Sequence, residues 1–137
     1  MPRAIRGRKY RSRLEADVAR KAQNSKIAFD YEPFFIPWEQ PAKNRKYKPD
    51  MVLENNVVVE VKGRLTVEDR FKMLKVKEQW PELRIRFVFK RDDWLTKSKK
   101  HKYSHWCKKN NFKYAIGRIP KSWANEEHRA LPAGLIK

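Results

Sequence analysis

The stretch KPDMVLENNVVVEVKG, residues 48–63, constrains this chain more than any other. Val57, Val58, Val59 and Val61 form a β-branched run that suits a pleated backbone and reads as a central strand. Asn55 and Asn56 mark a turn before it, since Asn tolerates the left-handed conformation that tight turns need. If Glu54, Asn55 and Asn56 form a three-residue loop, Leu53 pairs with Val57 and Asp50 lies opposite Glu60. Directly opposed residues share a face, with Cβ atoms ~5 Å apart. Period two then puts Val58, Glu60 and Lys62 on that face, and Val57, Val59 and Val61 on the other. A two-residue Asn-Asn loop would shift the register by one and offset the pair. The longer loop is favoured because it gathers three charged groups on one face.

Two carboxylates so close repel, and each raises the other's pKa unless a cation sits between them. Hard divalent ions use one or two protein carboxylates and complete their shell with water and substrate phosphate. Lys62 would supply a point charge near an attacked phosphate or, if deprotonated, a base for water. The plainer alternative makes Glu60 and Lys62 a solvated pair and Asp50 merely the residue after Pro49. Charges that interrupt a central strand are costly, which weighs against it. Net charge completes the reasoning. With 34 Lys and Arg against 16 Asp and Glu, the chain carries +18. Nucleic acid is the leading partner for such a polycation, ahead of an anionic membrane or an acidic protein. Metal-dependent phosphodiester chemistry is the combined expectation.

The 137 residues fit one domain, and 40% hydrophobic with 12% aromatic residues can fill a core. Residues 1–13 read as a mobile basic arm that orders on DNA through Arg3, Arg6, Arg8, Lys9, Arg11 and Arg13. Ser12 begins a helix with Leu14, Val18 and Ala22 on one face, and Glu15 three residues on completes a capping box. FDYEPFFI, residues 29–36, reads as one strand, with Pro33 placing it at an edge. Three prolines make residues 37–49 a semi-rigid connector with little that could pack. Thr66 caps a second helix with Asp69 at its third position, Val67, Phe71 and Leu74 on one face, and Pro81 as its stop. Leu83, Ile85, Phe87 and Phe89 alternate inward along a strand, followed by a helix at 103–109 and a strand at 112–116. The last twenty residues read as a loosely attached basic tail. Helix, three strands, helix, strand, helix, strand implies α/β with a mixed central sheet.

Glu15 stays open between two roles. The capping box explains it, with Arg11 as an ion-pair partner, yet a helix docked on the hairpin would present it to a second metal position. Between Asp93 and Glu126 there is no acid; TKSKKHKY, residues 96–103, with Lys97, Lys99, Lys100 and Lys102, is the densest basic part and, together with His105, is read as a phosphate-contacting surface. His101, His105 and Cys107 are too few for a structural zinc site, which is not expected. Trp94, Trp106 and Trp123 read as core residues, and Cys107 as a small core residue. No apolar run approaches ~18 residues, so no membrane span is expected. The amino terminus lacks the apolar core of a signal peptide, and a single cysteine suits a reducing compartment. Cytoplasmic residence, without secretion, is the expectation.

Asp50 after Pro49, ten residues on to Glu60, and Lys62 two further resemble the PD-(D/E)xK nuclease motif. The ordered blocks RSRLEADVARKAQ, FDYEP, YKPDMVL, VVVEVKG, FVF and WCKKNNFKYA resemble one branch, the bacteriophage endonuclease I family of Holliday-junction resolvases. The likeness covers roughly residues 10–123 and implies a restriction-endonuclease-like core over 14–123, with a basic tail at 124–137. It implies Asp50, Glu60 and the Val61 carbonyl as metal ligands, Lys62 as the catalytic lysine, and Glu15 as the acid from the first helix. It also implies Mg²⁺, with Mn²⁺ able to substitute, at two ions per site. The family is an intertwined homodimer, so Glu15 would complete the partner's site across a bridge at 37–49. For a phage-encoded chain the compartment would be the host cytoplasm. Two cuts on symmetry-related strands ask for a two-fold dimer, and junction shape rather than base edges would set selectivity. The expected function is therefore metal-dependent resolution of four-way junctions. The alternatives are a PD-(D/E)xK nuclease acting on duplex or mismatched DNA, or a non-catalytic basic nucleic-acid-binding module.

Overall fold

The computed structural model describes residues 10–40 and 43–137. The expected DNA contacts at Arg3, Arg6, Arg8 and Lys9 lie outside the described residues. The elements run α1 (Arg13–Asn24), β1 (Phe29–Tyr31), β2 (Ile36–Gln40), β3 (Lys43–Tyr47), β4 (Met51–Leu53), β5 (Val57–Lys62), α2 (Val67–Gln79), β6 (Arg84–Phe89), α3 (Tyr103–Lys109), β7 (Lys113–Ile116) and α4 (Lys121–Ala124).

The valine strand lies at the centre of a mixed five-stranded sheet ordered β1-β4-β5-β6-β7. Met51 pairs with Val59 and Val52 with Val58, antiparallel, so the hairpin has the three-residue loop. Asn56 holds a φ of +74° there, and its N–H donates to the Leu53 carbonyl at 2.8 Å. Carried one step further, this register sets Asp50 opposite Glu60. β6 and β7 add in parallel, each after a helical crossover. Alternation along β5 then feeds two cores. Val58 joins Phe87, Phe89, Met73, Val76 and Cys107 on one side of the sheet. Val57, Val59 and Val61 join Val18, Ala19 and Ala22 of α1 on the other. With both faces covered, β5 reads as a nearly continuous apolar run, broken only by Glu60 before Lys62, whereas β6 keeps the expected alternation in its first half, at Arg84 and Arg86.

Four expectations need correction. FDYEPFFI is not one strand: Glu32 takes a φ of +47°, which ends β1 at the sheet edge before Pro33. The supposed connector is a hairpin in which Ile36 pairs with Tyr47 and Trp38 with Arg45. Proline's extended geometry suits a strand as well as a spacer, and buried Ile36, Trp38 and Tyr47 pack this hairpin into the first core. On α2 the capping box at Thr66 and Asp69 forms as expected, yet Val67, Phe71 and Leu74 are exposed. Met73 and Val76, on the opposite side of the helix, are the buried pair. The carboxyl-terminal segment is not loose: Ile119 and Trp123 are buried, and Ile136 bridges to Phe35. Arg86, itself buried, grips Glu126 through two bonds of 2.6 and 2.7 Å.

Candidate active site

The charged residues of the hairpin meet the first turns of two helices. Ser12 Oγ accepts the Glu15 N–H at 3.0 Å, which starts α1. The Glu15 carboxylate does not return the bond, so the expected capping box is only half formed. Instead its Oε1 accepts the Arg11 N–H and the Tyr31 hydroxyl, both at 2.9 Å. The Arg11 guanidinium pairs with Glu32 at 3.5 Å rather than with Glu15. These bonds hold a buried Glu15 over the sheet, where it hydrogen-bonds with Asp50. Oxygens of Glu15, Glu32 and Asp50 all lie within 4.8 Å of one another.

Asp50 sits one residue before β4, and its Oδ2 accepts the Val61 N–H at 2.7 Å. The Val61 backbone thus stands beside the carboxylates, as a third ligand there would require. Burial first, then the charge of Glu60, then the bond and charge of Glu15 push the Asp50 pKa up to about 10. Neither Glu15 nor Asp50 has an ion-pair partner among the described residues, whereas Glu32 meets Lys48 at 3.3 Å.

Glu60 and Lys62 behave differently. Glu60 Oε1 accepts the Tyr47 hydroxyl at 2.8 Å, and Oε2 faces Lys62 Nζ at 3.3 Å. Lys62 Nζ also donates to Asp69 Oδ1 at 3.0 Å, while Asp69 Oδ2 accepts the Thr66 N–H. Asp69 therefore caps α2 with one oxygen and clamps the lysine with the other. Burial would lower the Lys62 pKa, but Glu60, Asp69 and Asp50 outweigh it and raise it above the ordinary value. These carboxylates therefore favour the charged ammonium of Lys62. Burial also tends to raise the Asp69 pKa, but its bonds to Lys62 and Thr66 hold it below the ordinary value. Burial and then Glu60 and Asp50 push the Tyr47 hydroxyl far above its usual range, so it stays a donor to Glu60.

Sequence reasoning missed Glu32, Tyr31, Tyr47 and the second role of Asp69. Tyr47, three residues before Asp50, offered a signal as an aromatic donor beside the motif. The capping box concealed Asp69, and nothing local marked Glu32. Among the expected DNA contacts, Arg11, Arg13, Lys97, Lys99, Lys100 and His105 are exposed, and Lys102 is half-buried. Trp123 is buried and Trp106 stacks on Phe112 at 5.3 Å, as core residues should. Trp94 departs from that expectation: it is 38% exposed, under the Lys102 ammonium. Cys107 is buried, its thiol pKa pushed up to about 12 by burial and by Asp92, so it does not present a nucleophile.

The donor set is wholly oxygen, which fits a hard divalent cation better than a soft one. A mixed α/β sheet with buried carboxylates and a clamped ammonium at one strand end defines a carboxylate–lysine site. The chain belongs to the phage endonuclease I family, whose model matches residues 2–137. It is 37% identical over 129 residues to "Endonuclease I" of Escherichia phage T7, covering 93% of this chain and 87% of that protein. It is 37% identical over 136 residues to "Endodeoxyribonuclease 1" of Enterobacteria phage T3, covering 98% and 90%. The family resemblance read from the motif blocks is thereby borne out.

Proposed function

We propose that this protein is a Mg²⁺-dependent, structure-selective DNA endonuclease with a restriction-endonuclease-like core, which resolves four-way junctions as a homodimer. The observation that carries the reading is the pair Glu15 and Asp50, without an ion-pair partner among the described residues, beside Lys62. Mg²⁺, or Mn²⁺ in its place, at two ions per site would neutralise charge on the phosphate and activate water. Asp50, Glu60, Glu15 and the Val61 carbonyl would hold it, with Glu32 within reach of the same pocket. Asp50, whose pKa is raised in the cation-free protein, would bind a cation as the carboxylate and release its proton on doing so. Lys62 directs its charge at the phosphate, and Tyr47 orients Glu60. The surplus basic surface gathers the DNA backbone.

The paired cuts ask for two sites related by a two-fold axis. α1, β1 and β2 connect to the rest of the chain only between Gln40 and Lys43. Opening the hairpin there would let those elements make the same contacts on a second copy, with Glu15 beside the partner's carboxylates. This supports the swapped dimer.

Cleavage of a four-way junction and of a matched linear duplex, with Mg²⁺ and with EDTA, tests the reading. Junction-selective cutting that EDTA abolishes is expected, as is a Glu60→Ala variant that binds without cutting. Cleavage that persists in EDTA overturns the metal mechanism. Equal cutting of the duplex favours a duplex nuclease, and binding without cutting by the parent chain favours a binding module. Sedimentation as a monomer, both free and on junction DNA, overturns the swap.

A further inference from the structure

A cleft of about 660 Å³ adjoins the lysine end of the site. One wall begins at Gly63 and Arg64, directly after Lys62, and the other is formed by Arg91, Trp94, Lys97 and Lys99. Those four cations are exposed, and none has an ion-pair partner among the described residues. Arg70 also lines the cleft, with one guanidinium N–H tied to the Leu65 carbonyl at 2.9 Å. The one acid of the cleft's upper segment, Asp93, uses Oδ1 to accept the Trp94 N–H at 2.9 Å. The lining is thus a strongly cationic trough.

Trp94 stands in that trough as an exposed indole. Lys102 Nζ lies 5.0 Å from its ring centroid, so one region of the ring is engaged by a cation. The backbone holds the platform in place. Trp94 bridges to Lys102, the Leu95 N–H donates to the His101 carbonyl at 2.8 Å, and the Tyr103 N–H donates to the Asp93 carbonyl at 2.9 Å. A fixed aromatic surface among unpaired cations is the pattern that binds a nucleic-acid strand whose bases have left the stack. Cations alone would suit any polyanion, but the indole adds a preference for an unstacked base or sugar.

We propose that this cleft seats the DNA strand next to the cut phosphate, with flanking phosphates on Arg64, Arg91, Lys97 and Lys99 and an unstacked nucleotide against Trp94. The inference rests on the nuclease reading above and gives it a source of structure selectivity. A branch point or frayed end releases a nucleotide at low cost, whereas an intact duplex must break stacking to fill the cleft.

The full chain with Mg²⁺, its Trp94→Ala and Trp94→Phe variants, and the double variant Arg64→Gln with Arg91→Gln test this. Trp94→Ala is expected to lower kcat/KM on a four-way junction about ten-fold, and Trp94→Phe to restore most of it. The double variant should reduce the slope of log binding constant against log salt by about two, with an unchanged melting temperature. Parent-like cleavage and salt slope in all variants overturn the cleft and leave the nuclease reading standing. Equal losses in Trp94→Ala and Trp94→Phe reduce Trp94 to loop packing and overturn the stacking role. A parent chain that neither binds nor cuts DNA overturns both readings.

Discussion

The two sides of the site handle buried charge in opposite ways. On the lysine side, Glu60 and Asp69 share Lys62, and Tyr47 satisfies the remaining oxygen of Glu60. On the acid side, Glu15 and Asp50 meet without a cation among the described residues, and burial with Glu60 and Glu15 pushes the Asp50 pKa up to about 10. The lysine side is finished by the chain itself. On the acid side no cation among the described residues balances Asp50, whose pKa is raised. Among the described residues, carboxylate repulsion is relieved by a chain cation on the lysine side alone.

Substitutions at the two sides should therefore have opposite effects on stability while both stop catalysis. Lys62→Met is expected to lower the cleavage rate by about a thousand-fold. It should also destabilise the fold by ~3 kcal/mol, because Glu60 and Asp69 lose their shared cation. Asp50→Asn should abolish cleavage as well, yet stabilise the cation-free protein at pH 8 by about 2 kcal/mol. Urea denaturation in EDTA, beside junction-cleavage rates, separates them, and destabilisation by both substitutions would break the comparison.

The acid side also sets a pH dependence. The folded pKa of Asp50 is raised from its ordinary 3.8 to about 10, so between those values the folded state holds a proton that the unfolded state has released. Stability of the cation-free protein should then fall as pH rises across that window, by at most ~1.4 kcal/mol per pH unit from this group. Denaturation midpoints in EDTA at several pH values should show the decline, and Asp50→Asn should flatten it. Added Mg²⁺ should stabilise more at higher pH, because binding displaces the proton. Tyr47→Phe is the mildest test. Losing one hydrogen bond to Glu60 should cost about 1 kcal/mol of stability and about ten-fold in cleavage rate.

Much of the fold was legible because neighbouring residues encode it. The asparagine turn and valine run give the hairpin its register, Ser12 and Thr66 start their helices, and α3 lies where its residues place it. Asp50, Glu60 and Lys62 were legible as a set because strand pairing brings them together across a short loop. The exposed face of α2 was not. Val67, Phe71 and Leu74 share one side at helical spacing, and Met73 with Val76 offer another, so periodicity alone does not say which one a sheet will cover. Trp38 and Tyr47 hid in the same way, in a proline-rich segment whose extended shape serves a spacer and a strand equally.

The sequence by itself determined the hairpin register, the helix starts, the excess of positive charge and the family blocks. Each of these depends on residues close together in the chain or on composition alone. Only the tertiary structure decided that Glu15, Glu32 and Asp50 converge, that Asp69 clamps Lys62, and that Trp94 faces a cationic cleft. The physical reason is that proton affinity and exposure depend on through-space neighbours and burial. Those neighbours come together only when helix α1, the ends of β1, β4 and β5, the first turn of α2 and the loop before α3 pack around one end of the sheet.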